Sequence, residues 1–158
     1  MGAEARCPCF DRAASGSARI EVVTAPDGPA EVARDLLTRL GAAVSSRDLE
    51  ATLVLFVDDP SVILVGSEAN ETAVGSDALV QFFRHLYTRP ITFRWEWPNP
   101  IEGRSHGDVV WFFAYGEVVK RTTHHDHRTP YRFTGVARQV DGTWRLALIH
   151  GAEPVPPK

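Results

Sequence analysis

The sequence predicts an α+β domain in which a curved antiparallel sheet packs on three N-terminal helices. In the first half of the chain, apolar residues recur at the spacing of a helix, and beyond Pro90 the period changes to two. Helices followed by a run of strands are typical of α+β domains, whose helices lie on one face of the sheet.

The composition indicates one globular domain. The chain has 158 residues, of which 44% are hydrophobic and 23% are charged, enough for a single core. Its net charge of -3 offers no basic excess for a phosphate backbone, so no nucleic acid partner is expected. No stretch approaches the ~20 apolar residues of a membrane span, and no unbroken apolar segment lies near the N-terminus. We expect a soluble, cytoplasmic protein without a membrane partner.

The domain is predicted to span residues 29–154, with an N-terminal extension over residues 1–28 and a tail over residues 155–158. The extension mixes small residues with one short β-like run and ends at a Pro-Asp-Gly turn signal. Cys7 and Cys9 are too close for an ordinary disulfide and lack the second pair of ligands that a zinc site needs. We interpret them as incidental thiols.

Two helices are predicted at the start of the domain. Pro29 suits a first helical turn, and the apolar residues that follow it predict a helix ending at about Ser45. Ser46 is the expected N-cap of a second helix, whose apolar stripe runs to Phe56. The Asp-Asp-Pro sequence at 58–60 ends this helix, and we interpret its acidic pair as turn chemistry rather than as catalytic carboxylates.

A short strand, a third helix and a run of strands follow. Residues 62–65 form an unbroken β-branched and leucine run, typical of a buried strand. Ser76 is the expected N-cap of helix three, which Arg89-Pro90 ends. Five antiparallel strands are then predicted over residues 91–97, about 100–106, 108–122, 131–140 and 143–151. A polar loop joins the third and fourth of them, and Asp141-Gly142 forms the last turn.

Four short motifs resemble the SnoaL-like and DUF4440 group of the nuclear transport factor 2-like superfamily, over roughly residues 29–154. They are Arg-Asp-Leu-Glu at 47–50, the segment 56–60, Gly-Ser-Asp-Ala at 75–78, and Asp-Gly-Thr-Trp-Arg at 141–145 followed by His150. The resemblance implies the cone-shaped fold of that superfamily. It implies no single activity, because the superfamily includes isomerases, cyclases, epoxide hydrolases, dehydratases, association domains and binding proteins.

The resemblance also argues against two known types of site. Ketosteroid isomerisation needs a carboxylate base, with a Tyr and a protonated Asp as oxyanion donors. Aligned through the motifs above, the Tyr position holds Leu40, the base position holds Ile63 or Leu64, and the second Asp position holds Gly135. The pocket arginines of calcium/calmodulin-kinase association domains would fall on Ala114 and Gly135. We therefore expect neither that isomerisation nor an anion pocket of that type.

The inner positions of the strands predict an apolar pocket. If Gly135 faces the cavity, alternation places Phe133 and Ala137 beside it and adds Val110, Phe112, Ala114, Ala147 and Ile149 from neighbouring strands. Trp95 and Trp97 share one face of their strand and either line the pocket mouth or belong to the core. The predicted ligand-binding residues are Leu40, Leu64, Trp95, Trp97, Phe112, Phe133, Gly135 and Ile149.

The same alternation predicts an aromatic outer face. The outward-facing side chains are predicted to be Trp111, Phe113 and Tyr115, with Leu146, Leu148 and His150. The resemblance implies dimerisation through this face, which would otherwise be an exposed patch, so we predict a homodimer. One β-bulge would exchange the two faces and bring Tyr115 and His150 into the pocket. In that alternative, His150 is the candidate general acid or base and Tyr115 the hydrogen-bond donor.

The His-His-Asp-His sequence at 124–127 has the composition of a metal site. Its residues are adjacent and lie in a predicted loop without cysteine partners, so they cannot all converge on one ion. We interpret it as a solvated loop, with rim binding of zinc or nickel as the alternative.

The leading functional hypothesis is a small-molecule pocket protein of SnoaL-like type that binds a hydrophobic ligand. If it is an enzyme, we expect cofactor-free isomerisation, cyclisation or dehydration, since no phosphate-binding loop, nucleophile elbow or zinc signature is found. The alternative is a non-catalytic homodimeric association or structural domain whose pocket is closed by its own side chains.

Overall fold

The computed structural model describes residues 28–155. The predicted extension, with Cys7 and Cys9, and most of the predicted tail lie outside this range, and the domain boundaries stay predictions. Among the residues described, no helix is long and apolar enough to cross a membrane.

Helix α1, Pro29–Ser46, forms where it was predicted and ends one residue later. Pro29 occupies its first turn, and Arg47 ends it in the left-handed conformation, with a φ of 58°. One face of the helix is buried, as the periodicity predicts, and carries Val32, Ala33, Leu36, Leu37, Leu40, Ala43 and Val44.

Helix α2, Leu49–Leu53, is shorter than predicted. Its N-cap is Asp48, whose carboxylate accepts a backbone N–H of the first turn at 2.9 Å. The prediction that Ser46 caps this helix is wrong, because Ser46 is the last residue of α1 and its hydroxyl donates back into that helix. Phe56 lies beyond α2, where it forms an isolated parallel bridge with Leu146.

One residue of the acidic pair between α2 and the first strand, Asp59, serves a turn. The carboxylate of Asp59 accepts the N–H of Ser61 at 2.8 Å, and its second oxygen lies 2.6 Å from the guanidinium of Arg138. The hydrogen bonds from Ser61 are the main cause that lowers the pKa of Asp59, and Arg138 adds to them. The interpretation as turn chemistry is confirmed for Asp59.

A small hairpin precedes the third helix. Strand β1, Ile63–Val65, was predicted, whereas β2, Thr72–Val74, was not. Helix α3 spans Ser76–Thr88, and its N-cap is Gly75, with a φ of 86° that favours glycine. The prediction that Ser76 is the cap is therefore wrong by one residue, and Ser76 starts the helix.

The remaining strands are β3 Thr92–Glu96, β4 Glu102–His106, β5 Val109–Arg121, β6 Asp126–Val140 and β7 Thr143–Ala152. Within the described residues, seven strands form one curved, open sheet in the order β2-β1-β7-β6-β5-β3. Strand β4 pairs with the first part of β5, and β3 pairs with its last part. The sheet is antiparallel except for the parallel pair of β1 and β7. Strand β6 begins earlier than predicted, so Asp126 and His127 lie in a strand rather than in the polar loop.

A β-bulge in β7 changes the face of one residue. Residues 136 and 137 of β6 pair with Leu148 and Leu146, which leaves Ala147 as the extra residue. Leu146 therefore turns inward and is fully buried, which corrects the prediction that it lies on the outer face. Ala147, predicted to line the cavity, is half-buried at the bulge.

The two faces of β5 and β6 are as predicted. The inner side chains are buried against the helices and include Val110, Phe112, Ala114, Phe133 and Ala137. The outer side chains Trp111, Phe113 and Tyr115 are 47%, 40% and 41% exposed. The concave face is thus a packed core, and the convex face presents aromatic rings.

Candidate functional site

A cavity of about 70 Å³ lies between α1, α3 and the concave face of the sheet. Its wall combines side chains from both helices and from five strands, which only the folded chain brings together. The apolar and aromatic wall is formed by Leu40, Val44, Leu64, Val65, Phe82, Phe83, Leu86, Phe93, Trp95, Val118, Tyr131, Phe133 and Ile149.

Charged side chains pair across the mouth of this cavity. The ammonium of Lys120 lies 2.5 Å from the carboxylate of Glu153, with 25% and 24% of the two side chains exposed. The guanidinium of Arg89 donates to Glu71 at 3.3 Å and to Glu68 at 3.2 Å. Because the first pair is three-quarters buried, water screens it less than an ordinary surface pair.

Tyr131 connects the apolar wall to this charged mouth. Its side chain is 6% exposed. Burial raises the pKa of Tyr131 to about 12; the carboxylates of Glu153 and Glu71 add to this rise, and a hydrogen bond with Ser67 opposes it. At neutral pH the group is therefore an un-ionised hydroxyl that can donate or accept a hydrogen bond.

Five of the eight predicted ligand-binding residues line the cavity: Leu40, Leu64, Trp95, Phe133 and Ile149. Phe112 and Gly135 do not, because the ring of Phe112 fills the space above Gly135. A Cβ at that glycine would lie 2.8 Å from Cε1 of the ring. Trp97 packs instead on the ring of Phe133, with the ring centroids 5.4 Å apart. The sheet around Gly135 is filled rather than hollow.

The two residues considered for catalysis lie on the other face of the sheet. Tyr115 and His150 are exposed, and β6 separates their strands. Tyr115 lies opposite Arg132 and His150 opposite Thr134, so they are not neighbours. The observed register is not the alternative one that would place both in the cavity.

The histidines between β5 and β6 are exposed. His124 and His125 lie in the loop, and His127 lies in β6 opposite Lys120. The carboxylate of Asp126 accepts two hydrogen bonds from Arg121 at 2.9 Å. Over residues 28–155, no group of three or more His, Cys, Asp or Glu side chains is placed to hold a metal ion.

Sequence reasoning missed the polar groups at the mouth. Lys120 and Glu153 continue the inner alternation of β5 and β7, and a charged residue at an inner position is an informative signal, since such residues are seldom buried unpaired. Tyr131 has the same parity as Phe133. Arg89 and Glu71 lie outside the strands, so no periodicity could have indicated them.

The same fold occurs in solved structures of low sequence identity. A dehydratase candidate of the nuclear transport factor 2-like family from Streptomyces avermitilis has a TM-score of 0.71 and 14% identity, covering 84% of this chain and 100% of its own. An aromatic ring hydroxylase candidate from Novosphingobium aromaticivorans has a TM-score of 0.68 and 17% identity, covering 79% and 88%. Such likeness shows the fold alone. No curated protein matches the sequence.

A family model described as the SnoaL-like domain matches residues 33–156, a range that includes every residue lining the cavity. This match does not test the narrower DUF4440 resemblance, which stays a prediction. The chain belongs to the SnoaL-like domain family, and its fold is that of the nuclear transport factor 2-like proteins.

Proposed function

We propose that this chain binds a compact, largely hydrophobic small molecule in the cavity between α1, α3 and the sheet. The observation that carries the proposal is one cavity that combines an apolar, aromatic wall with a polar mouth. Ligand sites in proteins are typically concave, mainly apolar and equipped with a few polar groups that orient the ligand.

The size of the cavity limits what can enter. Its volume of about 70 Å³ is below the roughly 300 Å³ at which ligand pockets usually begin. A ligand of ordinary metabolite size must therefore displace side chains at the mouth. Leu86 and Arg89 are only partly buried, and Glu68 is exposed, so these groups have the least packing to lose when they move.

If the ligand is a substrate, the mouth supports proton transfer. The un-ionised hydroxyl of Tyr131 can donate to a developing oxyanion, and the carboxylate of Glu153 can accept a proton. Such chemistry serves a cofactor-free isomerisation, cyclisation or dehydration. Tyr131 and Glu153 replace Tyr115 and His150 as candidates, because they lie at the cavity.

A thermal-shift screen tests the binding proposal. The probes are compact aromatic and alicyclic molecules such as phenol, indole and cyclohexanone, since a ligand selective for the folded state raises the apparent Tm. Leu86→Trp should block the mouth and abolish the shift, whereas Val80→Trp, on the same helix but outside the cavity, should retain it. A screen without any shift, or a shift that Leu86→Trp leaves intact, would contradict the proposal.

The small volume favours a second candidate function, a non-catalytic association domain whose cavity is closed by its own side chains. Association is supported by the outer face of β5, where Trp111, Phe113 and Tyr115 are exposed beside Leu148. Exposed aromatic residues in a row are typical of protein interfaces. A second copy of the chain is the proposed partner.

Sedimentation equilibrium at micromolar concentration tests this association. The wild type should sediment as a dimer, and a Trp111→Ser, Phe113→Ser double variant as a monomer, because the apolar centre of the interface is lost. Val74→Ser, which removes a 60% exposed side chain from β2, is the matched control and should remain dimeric. A monomeric wild type would refute the proposed dimer.

A further inference from the structure

Four aromatic rings make one side of the cavity wall. Phe93 and Trp95 stack with centroids 6.3 Å apart, and Trp95 lies 6.2 Å from Tyr131 and 5.4 Å from Phe133. The ring planes of Tyr131 and Phe133 are 80° apart, so these two rings turn their faces in different directions, whereas those of Phe93 and Trp95 are only 15° apart. The face of an aromatic ring is electron-rich and attracts cations more strongly when water is excluded.

The charged groups at the mouth are unequal in number. Three carboxylates, from Glu68, Glu71 and Glu153, surround two cations, Arg89 and Lys120. Arg89 is shared between two of the carboxylates, and Lys120 is paired with the third. The lining of the cavity therefore has one negative charge in excess, and its cations already have partners.

The hydroxyl of Tyr131 lies close enough to two of these carboxylates for their charges to act on it. Burial is the largest cause that raises the pKa of Tyr131, and the negative charges of Glu153 and Glu71 raise it further. An anionic ligand group beside Tyr131 would be repelled by these two carboxylates, whereas a cationic group would be attracted to them.

We propose that the cavity receives a small ammonium group, a protonated amine or a quaternary ammonium, against the rings of Trp95 and Tyr131, with Glu71 and Glu153 balancing its charge. This inference rests on the proposed binding function and names its ligand class. A compact ammonium head suits a volume of about 70 Å³ better than a polycyclic body does. The apolar part of the ligand then contacts Phe93 and the residues of the mouth.

Three probes of nearly equal shape and different charge test the inference. They are choline, its neutral isostere 3,3-dimethylbutanol, and the anion 3,3-dimethylbutanoate, titrated calorimetrically into the full chain at constant ionic strength. Choline should bind about tenfold more tightly than the neutral isostere, and the anion most weakly. Equal or tighter binding of the isostere, or tightest binding of the anion, would overturn the inference and leave the proposed binding function standing.

Variants at the mouth separate charge from shape. Glu153→Gln should weaken choline binding about tenfold and binding of the neutral isostere by a clearly smaller factor. Glu71→Gln should act in the same direction, and it serves as the test if the first variant does not fold. Glu102→Gln, which removes an ion-paired carboxylate remote from the cavity, is the matched control and should bind choline like the wild type. Unchanged choline affinity in both mouth variants would contradict the assigned site.

Absence of binding by all three probes at millimolar concentration would refute the ammonium inference. The thermal-shift screen with phenol, indole and cyclohexanone then decides separately whether the cavity binds small molecules at all.

Discussion

Replacing Gly135 by alanine should destabilise the domain, because the ring of Phe112 occupies the place of the new methyl group. A Cβ at Gly135 would lie 2.8 Å from Cε1 of Phe112 and 3.0 Å from the carbonyl oxygen of Leu148. Phe112 is 4% exposed and cannot move into solvent. Overpacking of this kind costs about 1–3 kcal/mol, and alanine gains about 0.5–1 kcal/mol over glycine in a strand. The expected net loss is up to roughly 2.5 kcal/mol.

Urea unfolding at equilibrium measures this loss as a lower midpoint at unchanged slope. Gly41→Ala is the matched control, because the nearest atom across from Gly41 is Cε3 of Trp95 at an ordinary 4.0 Å. Gly41 lies within α1, where alanine should stabilise by about 0.5–1 kcal/mol. The same chemical change thus has opposite signs at the two positions.

A double-mutant cycle identifies the ring as the cause. Phe112→Leu removes the ring atoms that meet the new Cβ, so Gly135→Ala should cost less in that background, with a coupling energy above about 0.5 kcal/mol. If Gly135→Ala lowers the free energy of unfolding by the same amount in both backgrounds, the ring of Phe112 does not occupy the space over Gly135.

Three further substitutions test single contacts, each by urea unfolding. Because burial raises the pKa of Tyr131 from 10.0 to about 12, the unfolded chain loses this proton at a lower pH than the folded chain does. Between these two pH values, wild-type stability should therefore fall by up to roughly 2–3 kcal/mol more than that of Tyr131→Phe. Parallel stability curves for the two proteins would contradict this. Asp48→Ala should lower the free energy of unfolding by about 1 kcal/mol through loss of the α2 cap, and Ser46→Ala should lower it clearly less. Equal losses would indicate that Asp48 is not the residue that caps α2. The ionised carboxylate of Asp59, whose pKa is lowered in the fold, stabilises the fold above about pH 3.8, and this contribution is lost as the pH falls through the lowered pKa. The stability of Asp59→Asn should therefore differ from that of the wild type most at neutral pH and least in acid. A difference that is the same at every pH would refute this.

The caps show where local sequence signals stop being sufficient. Helix α1 was predicted to within one residue, yet Asp48 and Gly75 cap α2 and α3 where Ser46 and Ser76 were expected. Several residues near each helix start have the chemistry of a cap. Which of them is used depends on where the chain turns, and packing of the next element decides that.

The cavity was predicted only in part for a similar reason. Strand alternation correctly indicated that Phe133 and Ile149 face inward, because a period of two is a property of the strand itself. The same pattern could not show that the ring of Phe112 would fill the space over Gly135. Alternation gives the direction of a side chain, whereas its rotamer and the neighbouring strand determine which space it fills.

By itself, the sequence determined the order of helices and strands apart from β2, the buried face of α1 and the aromatic outer face of β5, since each of these follows from the local spacing of apolar residues. Only the tertiary structure decided the bulge at Ala147 and the ion pairs at the mouth. Arg89 meets Glu71 across 18 positions, and Lys120 meets Glu153 across 33. Such pairs depend on strand register and on how the helices lie across the sheet, and both result from packing of the whole domain rather than from any local pattern.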